Sequence, residues 1–253
     1  MRIFKIVFVC VFLVLLCPLG GQSQQLQPGF APHPENFDPN RPVRGLARQY
    51  KGPIIDTHVH VDPPGGNDID MQEVLDVMDD AGVERVIVMA TPNEAKLEQT
   101  PDDGTARRLE LARLAPDKIL VFVGSEYLTR FFHKISSDGY EPQDVQAKLD
   151  RLVTDLESGQ FSGVGEIGLH HFCKWGRQAV VDYPSDFEPF HKMVDIIAQK
   201  GIWLDLHAET YNPNTGQYLT SEVLAGVELM YQRNPDLKLA WSHTAMVNAQ
   251  NAR

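Results

Sequence analysis

Ile54-Ile55-Asp56-Thr57-His58-Val59-His60 is an apolar run that ends in two histidines. Side chains alternate across a strand, so His58 and His60 fall on one face, about 6 to 7 Å apart along it, where they can grip one ion together. Three later runs repeat the device: Gly163-Val164-Gly165-Glu166-Ile167-Gly168, Ile202-Trp203-Leu204-Asp205-Leu206-His207 and Leu237-Lys238-Leu239-Ala240-Trp241-Ser242-His243. An ionised carboxylate such as Glu166 in an apolar, glycine-flanked strand is costly unless a cation or hydrogen bonds compensate it. Any one of these residues alone reads as a hydrogen-bonded core group. Their recurrence at strand ends points instead to a mixed nitrogen and oxygen shell of His58, His60, Glu166, His207 and His243. Such a shell suits one or two zinc ions, with manganese, iron and nickel as alternatives.

Working outward, six strands are legible, at 54–61, 83–90, 119–126, 163–169, 202–208 and 237–244, and amphipathic helices separate them. Met71, Val74, Leu75 and Met78 follow helical spacing and Gly82 is placed to end that helix. Residues 142–158 repeat the pattern with Val145, Leu149, Leu152, Val153 and Leu156. Ser185 with Glu188 reads as a capping box opening a helix that buries Phe187, Phe190, Val194 and Ile197 and closes at Gly201. A last helix runs from about Thr220 to Gln232. Alternating strands and helices mark an α/β fold of repeated βα units, of the (β/α)8 TIM-barrel type. Such a barrel carries its active site at the C-terminal ends of its strands, where the candidate ligands fall. A doubly wound open sheet is disfavoured, because no glycine-rich phosphate loop follows a strand.

The Asp56-Thr57-His58-Val59-His60 motif, with Glu166, His207 and His243 on strands four to six, resembles the metal-dependent hydrolases of the amidohydrolase superfamily. Gly165-Glu166-Ile167-Gly168-Leu169 is similar to the strand-four motif of TatD-like hydrolases, although His170 stands where those have an aspartate. Trp241-Ser242-His243-Thr244 looks more like the amidohydrolase-related group that includes decarboxylases. The resemblance implies hydrolysis of an ester, lactone, amide or phosphoester of a small molecule by water activated at a one- or two-metal centre, with Glu166 and His243 as catalytic groups. A single-zinc decarboxylase on the same scaffold and a non-catalytic relative are the alternatives. Family barrels have eight strands, the eighth supplying an aspartate that holds metal and accepts a proton. With six of eight units before Arg253, the expectation is an incomplete, C-terminally truncated barrel that is a poor catalyst by itself. His170, His171, Lys174, Trp175 and Arg177 after strand four, and Tyr211 after strand five, are the candidate substrate contacts.

Composition sets the remaining bounds. A chain of 253 residues with 43% hydrophobic content can bury one large core. Arg2 and Lys5 precede an uninterrupted apolar run from Ile6 to Leu16, followed by small and turn residues, which reads as a signal peptide over 1–23 and predicts a secreted or periplasmic protein. Eleven apolar residues are too few for a stable membrane span, which needs about 20. Residues 24–52, with Pro28, Pro32, Pro34, Pro39 and Pro42, read as an irregular lead-in to a barrel domain over 53–253. Cys10 and Cys17 fall in the signal, leaving Cys173 without an intramolecular partner. A formal charge of −11 argues against a polyanion such as nucleic acid and for a small-molecule substrate. Oligomeric state has no signature in the sequence.

Overall fold

The computed structural model describes residues 52–61, 69–92, 104–172 and 180–242. The expected signal peptide, nearly all of the lead-in, Cys173, Lys174, Trp175, Arg177 and His243 lie outside them. Six parallel strands, β1 (Ile54–Val59), β2 (Val83–Val88), β3 (Ile119–Gly124), β4 (Gly163–His171), β5 (Trp203–Ala208) and β6 (Lys238–Ser242), pair in sequence order. The sheet curls into a half-barrel, an incomplete TIM-type barrel. Helices α1 (Met71–Ala81), α2 (Thr105–Leu114), α3 (Arg130–Asp138), α4 (Pro142–Glu157), α5 (Glu188–Gln199) and α6 (Thr220–Arg233) fill the crossovers.

Local chemistry explains the helix ends. The Asp70 side chain accepts a hydrogen bond from the Gln72 amide at 2.8 Å to open α1, and Gly82 closes it in the left-handed conformation at φ 70°. Pro142 starts α4, whose Val145, Leu149 and Leu152 are buried at helical spacing. The capping-box reading of Ser185 is corrected: Phe187 caps α5 without a side-chain bond, and the Ser185 hydroxyl donates to the Glu222 carbonyl at 2.9 Å instead. That bond ties the start of α5 to α6. The crossover from β3 to β4 also holds more structure than the periodicity announces, with a π-helical turn at Ser125–Thr129 leading into α3.

The core falls into two clusters. One joins α1 and α2 to β2 and β3 through Met71, Met78, Val86, Val88, Leu111, Ile119 and Val121. The larger is organised around Phe132, whose ring meets Tyr183, Phe187 and Phe190 at centroid distances of 6.0, 6.4 and 6.2 Å. Each fully buried ring of this kind contributes on the order of 1.5–3 kcal/mol from area alone, before the edge-to-face contribution. In β4 the glycines let neighbouring backbones close in: a Cβ on Gly165 would sit 2.6 Å from the Asp205 Cβ on β5. Among the described residues strand pairing slips at four points: between Asp56 and Val59 against β2, between Val164 and Ile167 and between Gly168 and His170 against β5, and between Ile54 and Ile55 against β2. Such irregularities re-aim side chains. His58 and Glu166 occupy the first two.

Candidate metal centre

His58 and His60 lean together, with ring centroids 4.8 Å apart and Nε2 atoms 3.1 Å apart. Both face one oxygen of Glu166: Oε2 is 3.3 Å from His58 Nε2 and 3.2 Å from His60 Nε2. Three donor atoms thus form a nearly equilateral triangle. With bonds of about 2.1 Å, donors around one cation stand about 3.0 Å apart in an octahedral shell and about 3.4 Å apart in a tetrahedral one. The triangle lies between those limits, so its size and its mix of two imidazoles with one carboxylate fit a divalent ion.

Each imidazole is set by what holds its other nitrogen. His60 Nδ1 lies 2.9 Å from the Met89 carbonyl, which can only accept, so Nδ1 carries the proton and Nε2 turns a lone pair into the triangle. His58 Nδ1 lies 3.3 Å from Asp205 Oδ2, so it too carries a proton there, and Nε2 is the atom that would ligate once it gives up its own proton. Asp205 is buried and in turn accepts from the Ser242 hydroxyl at 2.9 and 3.0 Å. Asp205, two residues before His207 on β5, stands behind the His58 ring and orients it.

The second oxygen of Glu166 bonds His207 Nδ1. His207 Nε2 then points to His171 Nδ1 at 3.0 Å and to Glu209 Oε1 at 3.1 Å, and those two atoms are 3.2 Å from each other. Glu209 Oε2 is pinned by the Phe172 amide at 3.0 Å. The electrostatics follow from this interleaving. Burial opposes charge on His58, but the Asp205 and Glu166 carboxylates push its imidazole up to about 10. Burial likewise opposes charge on His207, while Glu166 and Glu209 raise it to about 9. For Glu209, burial acts to raise the carboxyl, yet His171, His207 and the Phe172 amide hold it down to about 2. Protons occupy the places where a dication would relieve the same carboxylates.

Of the residues singled out in the sequence, His58, His60, Glu166 and His207 meet at one place, at the C-terminal mouth of the sheet. His171, expected as a substrate contact, stands against His207. His170 turns the other way: it is buried, its Nδ1 lies 2.7 Å from Asp182 Oδ1, and its ring stacks on Phe172, so it does not line this mouth. Tyr211 pairs with Tyr218 at 4.9 Å in a small hairpin. Glu209 went unnoticed in the sequence, although the period-two series Asp205, His207, Glu209 marks it.

A family model described as TatD related DNase matches residues 55–231. No curated protein matches the sequence. Among solved structures, the crystal structure of a probable 2-pyrone-4,6-dicarboxylic acid hydrolase from Acinetobacter baumannii, with citric acid bound, is similar at 12% identity and a TM-score of 0.38. That similarity covers 79% of this chain and 90% of the other.

Proposed function

The chain belongs to the TatD-related DNase family, and from that premise we propose a hydrolase that depends on a divalent metal held by His58, His60 and Glu166. The observation that carries this reading is the donor triangle of 3.1 to 3.3 Å with the Nδ1 of both imidazoles held from behind by an acceptor. When bound, the ion supplies a lowered pKa for water and polarisation of the substrate oxygen. The protein's own part is positional. Asp205 and the Met89 carbonyl hold the imidazoles, and Glu166 joins the triangle to His207. His243 is kept as a further donor in the proposal.

The substrate proposed is a small-molecule ester, lactone, amide or phosphoester. The family description points to the phosphodiester of DNA, whereas a formal charge of −11 disfavours a polyanion. Zinc is the first choice of ion by donor chemistry, with manganese next. Among the described residues no helix is long and apolar enough to cross a membrane. Export by the segment 1–23 is part of the proposal.

The test loads chelator-stripped protein with zinc or manganese and assays nitrophenyl esters, lactones, a phosphodiester and DNA. Metal-dependent turnover that disappears in Glu166→Gln and His60→Ala is expected. Turnover unchanged by either substitution, or insensitive to chelator, refutes the metal reading. Turnover of DNA alone refutes the small-molecule assignment.

A further inference from the structure

We propose that Tyr211 and Tyr218, on the hairpin beside the metal triangle, form a stacking platform for a neutral aromatic ring of the substrate. This rests on the metal-dependent hydrolase reading and deepens it by naming a substrate class, the aryl ester of a small molecule.

Position comes first. The chain leaves β5 at Ala208, at the C-terminal mouth of the sheet, and turns into a hairpin in which Tyr211 pairs with Tyr218 and Asn212 with Gln217. Tyr211 stands two residues after Glu209, whose Oε1 is 3.1 Å from His207 Nε2, so the Tyr211 Cα is at most about 7 Å from that of Glu209. Rigidity comes next. The Leu219 amide donates to the Thr210 carbonyl and the Gly216 amide to the Asn212 carbonyl, both at 2.8 Å, and the Asn214 amide donates to Asn212 Oδ1 at 2.9 Å. Gly216 supplies the left-handed φ of 74° that closes the turn. Leu219, at the foot of the hairpin, is buried in the larger core cluster. With both strands of the hairpin tied down, less ordering has to accompany the arrival of a ligand.

Directly opposite each other on antiparallel strands, the two tyrosines share one face of the hairpin. Their centroids are 4.9 Å apart at a tilt of 47°, so the rings do not close on each other face to face. Tyr218 is 68% exposed, more than any other large hydrophobic side chain among the described residues. The contact between the two rings leaves that surface open to a third. Charge then selects the third ring. Residues 210–219 hold no Asp, Glu, Lys, Arg or His, in a chain of which 23% is charged. A platform for nucleic acid sets its aromatic rings in a basic groove that tracks the phosphates, and this hairpin has no cation to offer them. Two aromatic faces beside the uncharged amides of Asn212 and Gln217 match a neutral, planar group instead. Such a group stacks offset or edge-on against tyrosine, a contact that an aliphatic chain of the same size does not make, so the platform favours aryl over alkyl esters.

The experiment has two arms, both on the full chain. In the first, saturation-transfer NMR follows phenol and cyclohexanol on chelator-stripped protein, as wild type and as Tyr211→Ala, Tyr218→Ala, Tyr218→Leu and Tyr218→Phe, with circular dichroism reporting folding. In the second, zinc-loaded protein hydrolyses phenyl acetate and cyclohexyl acetate. The wild type is expected to bind phenol in preference to cyclohexanol, the Ala and Leu variants to lose that preference and Tyr218→Phe to keep it. In the loaded enzyme Tyr218→Ala should raise KM for phenyl acetate about tenfold more than KM for cyclohexyl acetate. A role confined to holding the hairpin together would shift both ligands equally, and that result overturns the proposal, as does phenol binding that no variant changes. A short single-stranded oligonucleotide that displaces phenol in a Tyr218-dependent way assigns the platform to nucleobases and overturns the small-molecule class. Absence of turnover in every form refutes the hydrolase reading, while phenol binding to the stripped protein still decides the platform.

Discussion

Changing the pH separates the stripped protein from the loaded one. In the stripped protein, His58 and His207 titrate near 10 and 9, above their ordinary 6.5, because carboxylates surround them. A raised folded-state pKa means the native protein binds more protons than the unfolded chain between 6.5 and those values, so stability is lost as pH rises through that window. The slope is on the order of 1.4 kcal/mol per pH unit for each histidine that stays protonated only in the native state. Below 6.5 both states are charged and these residues contribute no slope. A loaded protein inverts the pattern. Its native state holds no proton on the ligating nitrogens, so the contribution rises with pH up to about 6.5 and is level above it. The gap between the two curves therefore widens steadily toward alkaline pH, and apparent metal affinity gains about tenfold per pH unit for each proton displaced. Urea denaturation from pH 5.5 to 9, with chelator or with buffered zinc, measures both curves. Calorimetric titration in buffers of different ionisation enthalpy counts the protons released. A stripped protein whose stability stays flat or rises between pH 6.5 and 9, with no proton release on loading, refutes the carboxylate–histidine arrangement.

Asp205→Asn removes the charge behind His58, so the His58 imidazole should titrate lower in an NMR titration, and an unchanged value would show that Asp205 does not govern it. Gly165→Ala places a Cβ 2.6 Å from the Asp205 Cβ and 3.0 Å from the Asp205 carbonyl oxygen, and overpacking of this kind costs about 1–3 kcal/mol in denaturant melts. Phe132→Ala empties the centre of the aromatic cluster and should cost about 3–5 kcal/mol while leaving metal stoichiometry at its wild-type value, which elemental analysis checks. For the N-terminus, we expect the mature protein from its native host to begin near Gln24; Edman sequencing that still finds Met1 would contradict export.

Much of the sheet was legible because strand periodicity is simple. The alternation in Asp56-Thr57-His58-Val59-His60 puts both histidines on one face whatever the rest of the fold does. The same arithmetic does not carry along β4, where the sequence offered both His170 and His171. Counting in twos from Glu166 selects His170 for the site face, yet the pairing with β5 slips between Gly168 and His170, and it is His171 that joins His207. A slip of one residue exchanges the two faces of a strand, and no local sequence pattern announces it. Glu209 lay beyond the apolar run that defined its strand, where the reading stopped. Ser185 shows another limit: its spacing to Glu188 matches a capping box, but the hydroxyl found a partner in α6, a contact between residues far apart in sequence.

The curl of the sheet has a mechanical consequence. β1 and β6 are its two edges among the described residues, the furthest apart in strand order. Yet Ser242 Oγ on β6 comes within 3.2 Å of His58 Nδ1 on β1, and both reach Asp205. The first and sixth strands are therefore buckled to each other by side chains, with no ladder between them among the described residues. An ion on His58, His60 and Glu166 would act as a rivet beside that buckle, fixing the edge strand to the middle of the sheet. Amide exchange along Ile54 and Ile55, which are 41% and 47% exposed, would then slow when metal is added, while exchange deep in α5 would not change. The rim would be braced by the same atoms that perform the chemistry.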